Sequence, residues 1–284
     1  MLGHRLYATL RERFETYVTV RAPAAAYGSL ELFEPSRLID RIDACEEADL
    51  RRAFGTARPD AVVNCVGIIK QLPQAEDAVV AIGINALLPH RLAVICREAG
   101  ARLVHLSTDC VFSGEKGQYT EDDVPDPRDL YGRSKLLGEV ASPGAVTVRT
   151  SMIGREIGTR HGLVEWFLSQ RGGRVSGYRR AIYTGFTTAA LSRILADLIE
   201  RQPTLSGLWH VSSDPIDKYA LLGLVDEAFG CGTTIEADDT FHCDRSLDSS
   251  RYRRATGFVP PSWRAMIEEM RDDRTPYGRW RIAK

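Results

Sequence analysis

The 284 residues are 44% hydrophobic with a formal net charge of -1, enough for one large core or a main core with a smaller lobe. Acids and bases alternate, so no global field draws the chain to nucleic acid or an anionic membrane, and a small polar metabolite is the expected partner. No apolar run approaches the ~20 residues of a bilayer span, no signal-peptide pattern opens the sequence, and the six cysteines lack metal spacing, which together predict a soluble cytoplasmic protein with reduced thiols and no metal.

Leu2, Leu6, Leu10 and Phe14 recur every four residues and predict a helix from the start of the sequence. Tyr17 to Val20 reads as a short β-branched strand, broken at Arg21-Ala22-Pro23. A helix over Glu46 to Phe54 leads to the apolar run Ala61 to Gly67, the pattern of a buried parallel strand. A helix over Asn85 to Glu98 precedes a second buried strand, Arg102 to Thr108, and a helix over Tyr131 to Val140 precedes the strand Val146 to Arg149. This alternation predicts an α/β fold with a parallel sheet and right-handed crossovers over residues 1–150. After Ser151 come Gly- and Arg-rich loops or short strands, then helices over Thr188 to Arg201, Tyr219 to Phe229 and Ser262 to Asp272, with a strand at Leu208 to Val211. Residues 151–284 are expected to form mainly a substrate-binding lobe packed tightly on the first unit.

Ligands of open α/β sheets bind beyond the carboxyl ends of the strands, and here those ends carry Asn64, Thr108 and Arg149-Thr150-Ser151. Tyr131 and Lys135 are four apart on one helix and leave the same face. A phenol beside an ammonium is a general acid of lowered pKa. A bare Tyr-x-x-x-Lys is common by chance; its context here is Ser107-Thr108-Asp109-Cys110-Val111-Phe112-Ser113-Gly114, followed by Tyr131-Gly132-Arg133-Ser134-Lys135-Leu136-Leu137-Gly138-Glu139.

The two stretches resemble the motifs of the extended short-chain dehydrogenases/reductases, most closely the dTDP-4-dehydrorhamnose reductase family. The resemblance extends to Pro59 through Gly67, Asn85 through Pro89 and Val148 through Ser151, and more weakly to Gly185 through Thr188 and Leu247 through Arg251. It implies a Rossmann-type doubly wound parallel sheet with a smaller C-terminal α/β substrate lobe. It also implies reduction of a 4-keto nucleotide sugar, with hydride from NADPH, NADH being the alternative. Tyr131 is then the proton donor, Lys135 lowers its pKa and holds the nicotinamide ribose, and Thr108 hydrogen-bonds the reacting oxygen.

Asn64, Val66 and Gly67 would line the cofactor path, Asn64 being equally a strand-end turn residue. Arg21 after the second strand suits a 2′-phosphate or a solvated side chain. Asp43 matches the adenine edge or a helix cap. Arg155, Arg179, Arg180 and Tyr183 are candidates for the substrate diphosphate and base. Two positions depart from the family: Cys110 stands where it carries Tyr, and Met152 where it tends to carry Trp, so both are expected to shape the choice of sugar.

The dinucleotide fingerprint needs a strand, a glycine-rich turn and a helix, whereas this sequence opens at Gly3, in the place of the last glycine. The expectation is a sheet lacking its first strand, with weak NADPH binding and a lower unfolding temperature than a version carrying an upstream strand. A homodimer is left open. Two alternatives accompany the reductase: a non-catalytic subunit like the regulatory subunit of methionine adenosyltransferase, and a nucleotide-sugar epimerase retaining bound NAD.

Overall fold

The computed structural model describes residues 1–72 and 75–280. The first half of the chain runs α1 (Leu2–Leu10), β1 (Val18–Thr19), β2 (Leu38–Ile39), α2 (Glu47–Ala57), β3 (Ala61–Asn64), α3 (Ala78–Ala81), α4 (Leu88–Ala99), β4 (Arg102–Thr108), α5 (Leu130–Leu137) and β5 (Ala145–Thr150). Then follow β6 (Met152–Ile153), α6 (Leu163–Leu168), β7 (Arg174–Tyr178), β8 (Ala181–Tyr183), β9 (Phe186–Thr187), α7 (Thr188–Arg201), β10 (Gly207–His210) and β11 (Ile216–Asp217). The chain closes with α8 (Lys218–Phe229), β12 (Thr234–Asp238), β13 (Cys243–Asp244), α9 (Ser250–Thr256) and α10 (Trp263–Asp272).

The main sheet is parallel with the order β10-β5-β4-β3. Its centre, β4, is buried from Leu103 to Thr108, as a strand covered on both faces must be. A separate parallel pair, β1 and β2, stands apart from it. The doubly wound sheet thus comes in two pieces, and among the described residues β3 pairs on one edge only, with β4.

Leu2, Leu6 and Leu10 form the apolar stripe of α1, and they join one core with Leu191, Ile194 and Leu198 of α7. The side chain of Thr187 caps α7 by accepting from Ala190 N at 3.3 Å. Both α7 and β10 lie beyond residue 150, yet α7 packs on α1 and β10 extends the first sheet. Chain order and layer order therefore cross at that boundary. The remainder of the second half forms small sheets, β7 with β12 and β11-β8-β13, against which α8 packs.

Residues 78–99 are helical throughout, with Ile82–Leu87 as a π-helical turn between α3 and α4. The most apolar 18 residues of this stretch have a mean hydropathy of 1.8, which by length and composition alone is enough to cross a bilayer, although Asn85, His90 and Arg91 interrupt the apolar run. Its contacts are those of a core helix. Leu88, Leu92, Ile95 and Cys96 pack with Leu103 of β4, and Arg91 donates to the Cys45 carbonyl at 2.8 Å.

A polar network crosses the sheet just below its carboxyl edge. Glu139 and Arg149 form a bidentate pair with both bonds at 2.7 Å, and Arg149 is 3% exposed. Ser107 donates to Glu139 at 2.6 Å, and Arg149 donates to His210 Nε2 at 3.2 Å. Arginine has only donors, so His210 Nε2 is the acceptor and its Nδ1–H donates to the Tyr119 carbonyl at 3.0 Å. Burial and the Arg149 charge agree with that neutral state, taking the imidazole down to about 4.

Removing one partner of a buried pair strands the other charge, at a cost of about 3–5 kcal/mol. Glu139→Gln or Arg149→Met is expected to lower the unfolding free energy by about that amount, read from urea curves. The double replacement Glu139→Gln/Arg149→Met is expected to cost less than the sum of the single ones.

Candidate active site

The site is built on the end of β4 and the start of α5. Thr108 leaves β4 and caps the turn that follows, accepting from Cys110 N at 3.1 Å while donating to Asp109 Oδ1 at 3.1 Å. Asp129 caps α5, its carboxylate accepting from Gly132 N at 2.8 Å and pairing with Lys70 at 2.7 Å. A Cβ at Gly132 would collide with the Cys110 carbonyl and with Pro127. Only glycine lets the first turn of α5 lie this close to the Thr108 turn, which sets Tyr131 beside Thr108.

Tyr131 is half-buried, and desolvation pushes its phenol well above the usual range, which the neighbouring Thr108 hydroxyl opposes only in part. This corrects the expectation of a lowered phenol pKa. Lys135 does not act on Tyr131 as a nearby counter-charge in this arrangement. Its ammonium, 6% exposed, donates to the Leu106 carbonyl at 2.5 Å. Burial takes Lys135 down to about 8, with Glu139 pulling the other way. The phenol is held as a neutral donor and the amine sits near its titration point.

Asn64 is buried at the end of β3, its amide donating to His105 Nδ1 at 3.2 Å and its carbonyl accepting from Val66 N at 3.1 Å. Val66 and Gly67 continue as exposed backbone. Gly3 lies on α1 directly above, where a Cβ would stand 4.0 Å from Cys65 Cβ. Asn85, in the π-helical turn and 1% exposed, was not singled out as a site residue by sequence. Its side chain accepts from Ile68 N at 2.9 Å and donates to the Ile68 carbonyl at 3.1 Å and to Ser134 Oγ at 3.3 Å. It ties the loop after β3 to α5.

This edge fits a nicotinamide cofactor in the exposed backbone at residues 65–67, which lies beside α1 at Gly3. Arg21 is exposed after β1. Asp43 follows β2 and accepts from Cys45 N at 2.9 Å, the turn-capping alternative raised for it.

The substrate candidates separate. Cys110 lies beside Thr108, its thiol pushed up to about 12 by burial and the Asp109 charge. Tyr183 is buried in β8. Met152 packs on the main core from β6. Arg155 is tied to Glu165 at 2.5 Å and lies over Tyr277, lining a cavity of about 230 Å³ with Arg160, Arg171 and Phe229. Arg179 is exposed and paired with Asp239, and Arg180 is exposed beside it. Two residues that sequence reasoning missed lie close by: Lys218, at the start of α8, over the Tyr183 ring, and Arg245, just after β13, against Phe112 and Cys110. Arg245 lies two residues before the Leu247-to-Arg251 stretch, whose resemblance was the one available signal; Lys218 carried none.

Comparison with known proteins agrees with this architecture. The RmlD substrate binding domain family matches residues 1–275. The spore coat polysaccharide biosynthesis protein SpsK of Bacillus subtilis is 27% identical over 247 residues, covering 82% of this chain and 86% of SpsK. A dTDP-4-dehydrorhamnose reductase of Mycobacterium tuberculosis is 39% identical over 103 residues, 33% of this chain and 34% of that protein. The crystal structure of the Bacillus anthracis dTDP-4-dehydrorhamnose reductase in complex with NADP superposes with a TM-score of 0.71 at 24% identity, covering 86% of this chain and 95% of that one. With a match across nearly its whole length and the sheet to go with it, the chain belongs to the RmlD substrate binding domain family.

Proposed function

We propose that the chain is an NADPH-dependent reductase of a 4-keto nucleotide sugar. The observation that carries the reading is the meeting of Thr108, Tyr131 and Lys135 at the carboxyl edge of β4, in a chain whose relatives include dTDP-4-dehydrorhamnose reductases. Asn64, Val66, Gly67 and Gly3 would hold the cofactor together with Lys135; NADPH, when bound, supplies the hydride.

The chain's own work is to place and protonate the carbonyl oxygen. Tyr131, kept neutral by desolvation, donates to that oxygen and gives up its proton as the alcohol forms. Thr108 exchanges its bond to Asp109 for a second bond to the same oxygen. The phenolate left behind takes its proton back from water, and Lys135 would hold the nicotinamide ribose beside it. Residues 151–284 form most of the wall on the sugar side, with Tyr183 and Met152 near the reacting end.

Tyr131→Phe is expected to lower kcat by about 10²–10⁴-fold, followed as loss of NADPH absorbance with dTDP- and UDP-linked 4-keto sugars. Full activity in that variant would remove Tyr131 as the proton donor. No turnover of any such sugar by the parent chain would favour the non-catalytic subunit.

Lys135 also makes stability depend on pH. Its folded pKa of about 8 lies below the ordinary 10.5, so between those values the unfolded chain binds more protons and stability rises with pH. Below pH 8 the full cost of burying the ammonium is present. The stability gained by Lys135→Met in cofactor-free protein is therefore expected to be largest below pH 8 and to shrink toward pH 10.5. Urea titrations across that range check it, and a difference independent of pH would count against it.

A further inference from the structure

The partly buried arginines of this chain generally have carboxylates: Arg149 has Glu139, Arg155 has Glu165 and Arg5 has Asp273. Lys218 and Arg245 do not. Lys218 opens α8, but the carboxylate of its neighbour Asp217 is spent capping the helix, accepting from Ala220 N at 2.8 Å. The Lys218 ammonium lies instead over the Tyr183 ring, 3.8 Å from its centroid. Arg245 uses Nε on the Phe112 carbonyl at 2.8 Å and points Nη1 at the Cys110 sulfur, 3.7 Å away. Its Nη2 donors have no protein partner among the described residues.

The place of these cations is fixed by close packing. A Cβ at Gly114 would stand 2.7 Å from Cys243 Sγ and 3.0 Å from Arg245 Cγ, so the chain around Arg245 lies flush on the turn after β4. Cys110, which Arg245 touches, has its N–H on the Thr108 hydroxyl and its carbonyl against the first turn of α5, next to Tyr131. Both cations interact electrostatically with Asp109 and Cys110. The one carboxylate they share, Asp109, already accepts from Thr108. Both cations are half-buried, and a cation at such a place with no matching carboxylate is open to a ligand that brings the counter-charge. A guanidinium offers paired donors and an ammonium a point charge, the two kinds of contact an oxyanion accepts.

We propose that Lys218 and Arg245 form an oxyanion seat beside the proton donor, which takes an anionic group of the substrate and thereby aims its keto carbon at Tyr131. The anion is the diphosphate of the nucleotide or a carboxylate on the sugar itself. The small Cys110 side chain makes room for Arg245 to reach that position. This inference rests on the nucleotide-sugar reading, but binding alone tests it, so failure of turnover and failure of the seat are separate results.

The test titrates UDP, dTDP, UDP-glucose and UDP-glucuronate calorimetrically into the parent chain, Lys218→Met and Arg245→Gln, with NADPH as the control ligand. Losing one charged contact is expected to weaken the bound ligand about 10–100-fold with NADPH affinity unchanged. Weakening of UDP or dTDP themselves assigns the seat to the diphosphate. Weakening confined to UDP-glucuronate assigns it to a sugar carboxylate. In addition, Lys218→Met should melt no lower than the parent, because it removes a charge with no ion-pair partner. The proposal is overturned if the parent binds none of the four ligands, or if both variants bind them as the parent does.

Discussion

The buried pair of Glu139 and Arg149 is the constraint on which the rest of the site depends. Glu139 follows α5 and Arg149 belongs to β5, and through Ser107 and His210 the pair also engages β4 and β10. Four elements are thereby held in one register immediately beneath Thr108 and Lys135. Such a pair adds little net stability relative to well-packed apolar residues, and its attested use is to specify one arrangement over its neighbours. A slip of β4 against β5 by one residue would turn Thr108 away from Tyr131.

The same burial sets the protonation states. Desolvation pushes the Tyr131 phenol up and takes Lys135 down toward neutrality. Proximity in sequence suggested that the ammonium lowers the phenol pKa, but an amine bound to the Leu106 carbonyl does not do so in this arrangement. The pair is poised to give a proton, with the charge arising only once a carbonyl oxygen takes it.

Much of this was legible in the chain. The run Arg102 to Thr108 is one strand over that whole length, Thr188 to Arg201 is one helix, and the residues flanking Thr108 and Tyr131 pointed to their meeting. The illegible parts have physical reasons. Strands β11 and β13 are two residues long, too short to show a period of two. The π-helical turn has the composition of an ordinary helix, so its extra residue leaves no trace in the pattern. Lys218 and Arg245 lie 27 residues apart on different elements, and nothing local to either marks it as unpaired. Their significance exists only once tertiary packing sets Lys218 over Tyr183 and Arg245 against Cys110. Arg155 and Arg179 show the converse: arginines in a promising stretch whose charges are already answered by Glu165 and Asp239.

The π-helical turn at Ile82–Leu87 has an effect on the geometry of the cleft. Each helical residue advances about 100° around the axis, so the widened turn works as a rotary offset between α3 and α4. It lets α4 keep its apolar face on the sheet while Asn85 reaches Ile68 on one side and Ser134 on the other. Loss of a single residue there would swing everything before it through roughly a quarter turn, unlatching the loop after β3 from α5. The floor and the wall of the cleft are thus geared together through one side chain on a helix that touches neither Tyr131 nor Thr108 by any described hydrogen bond.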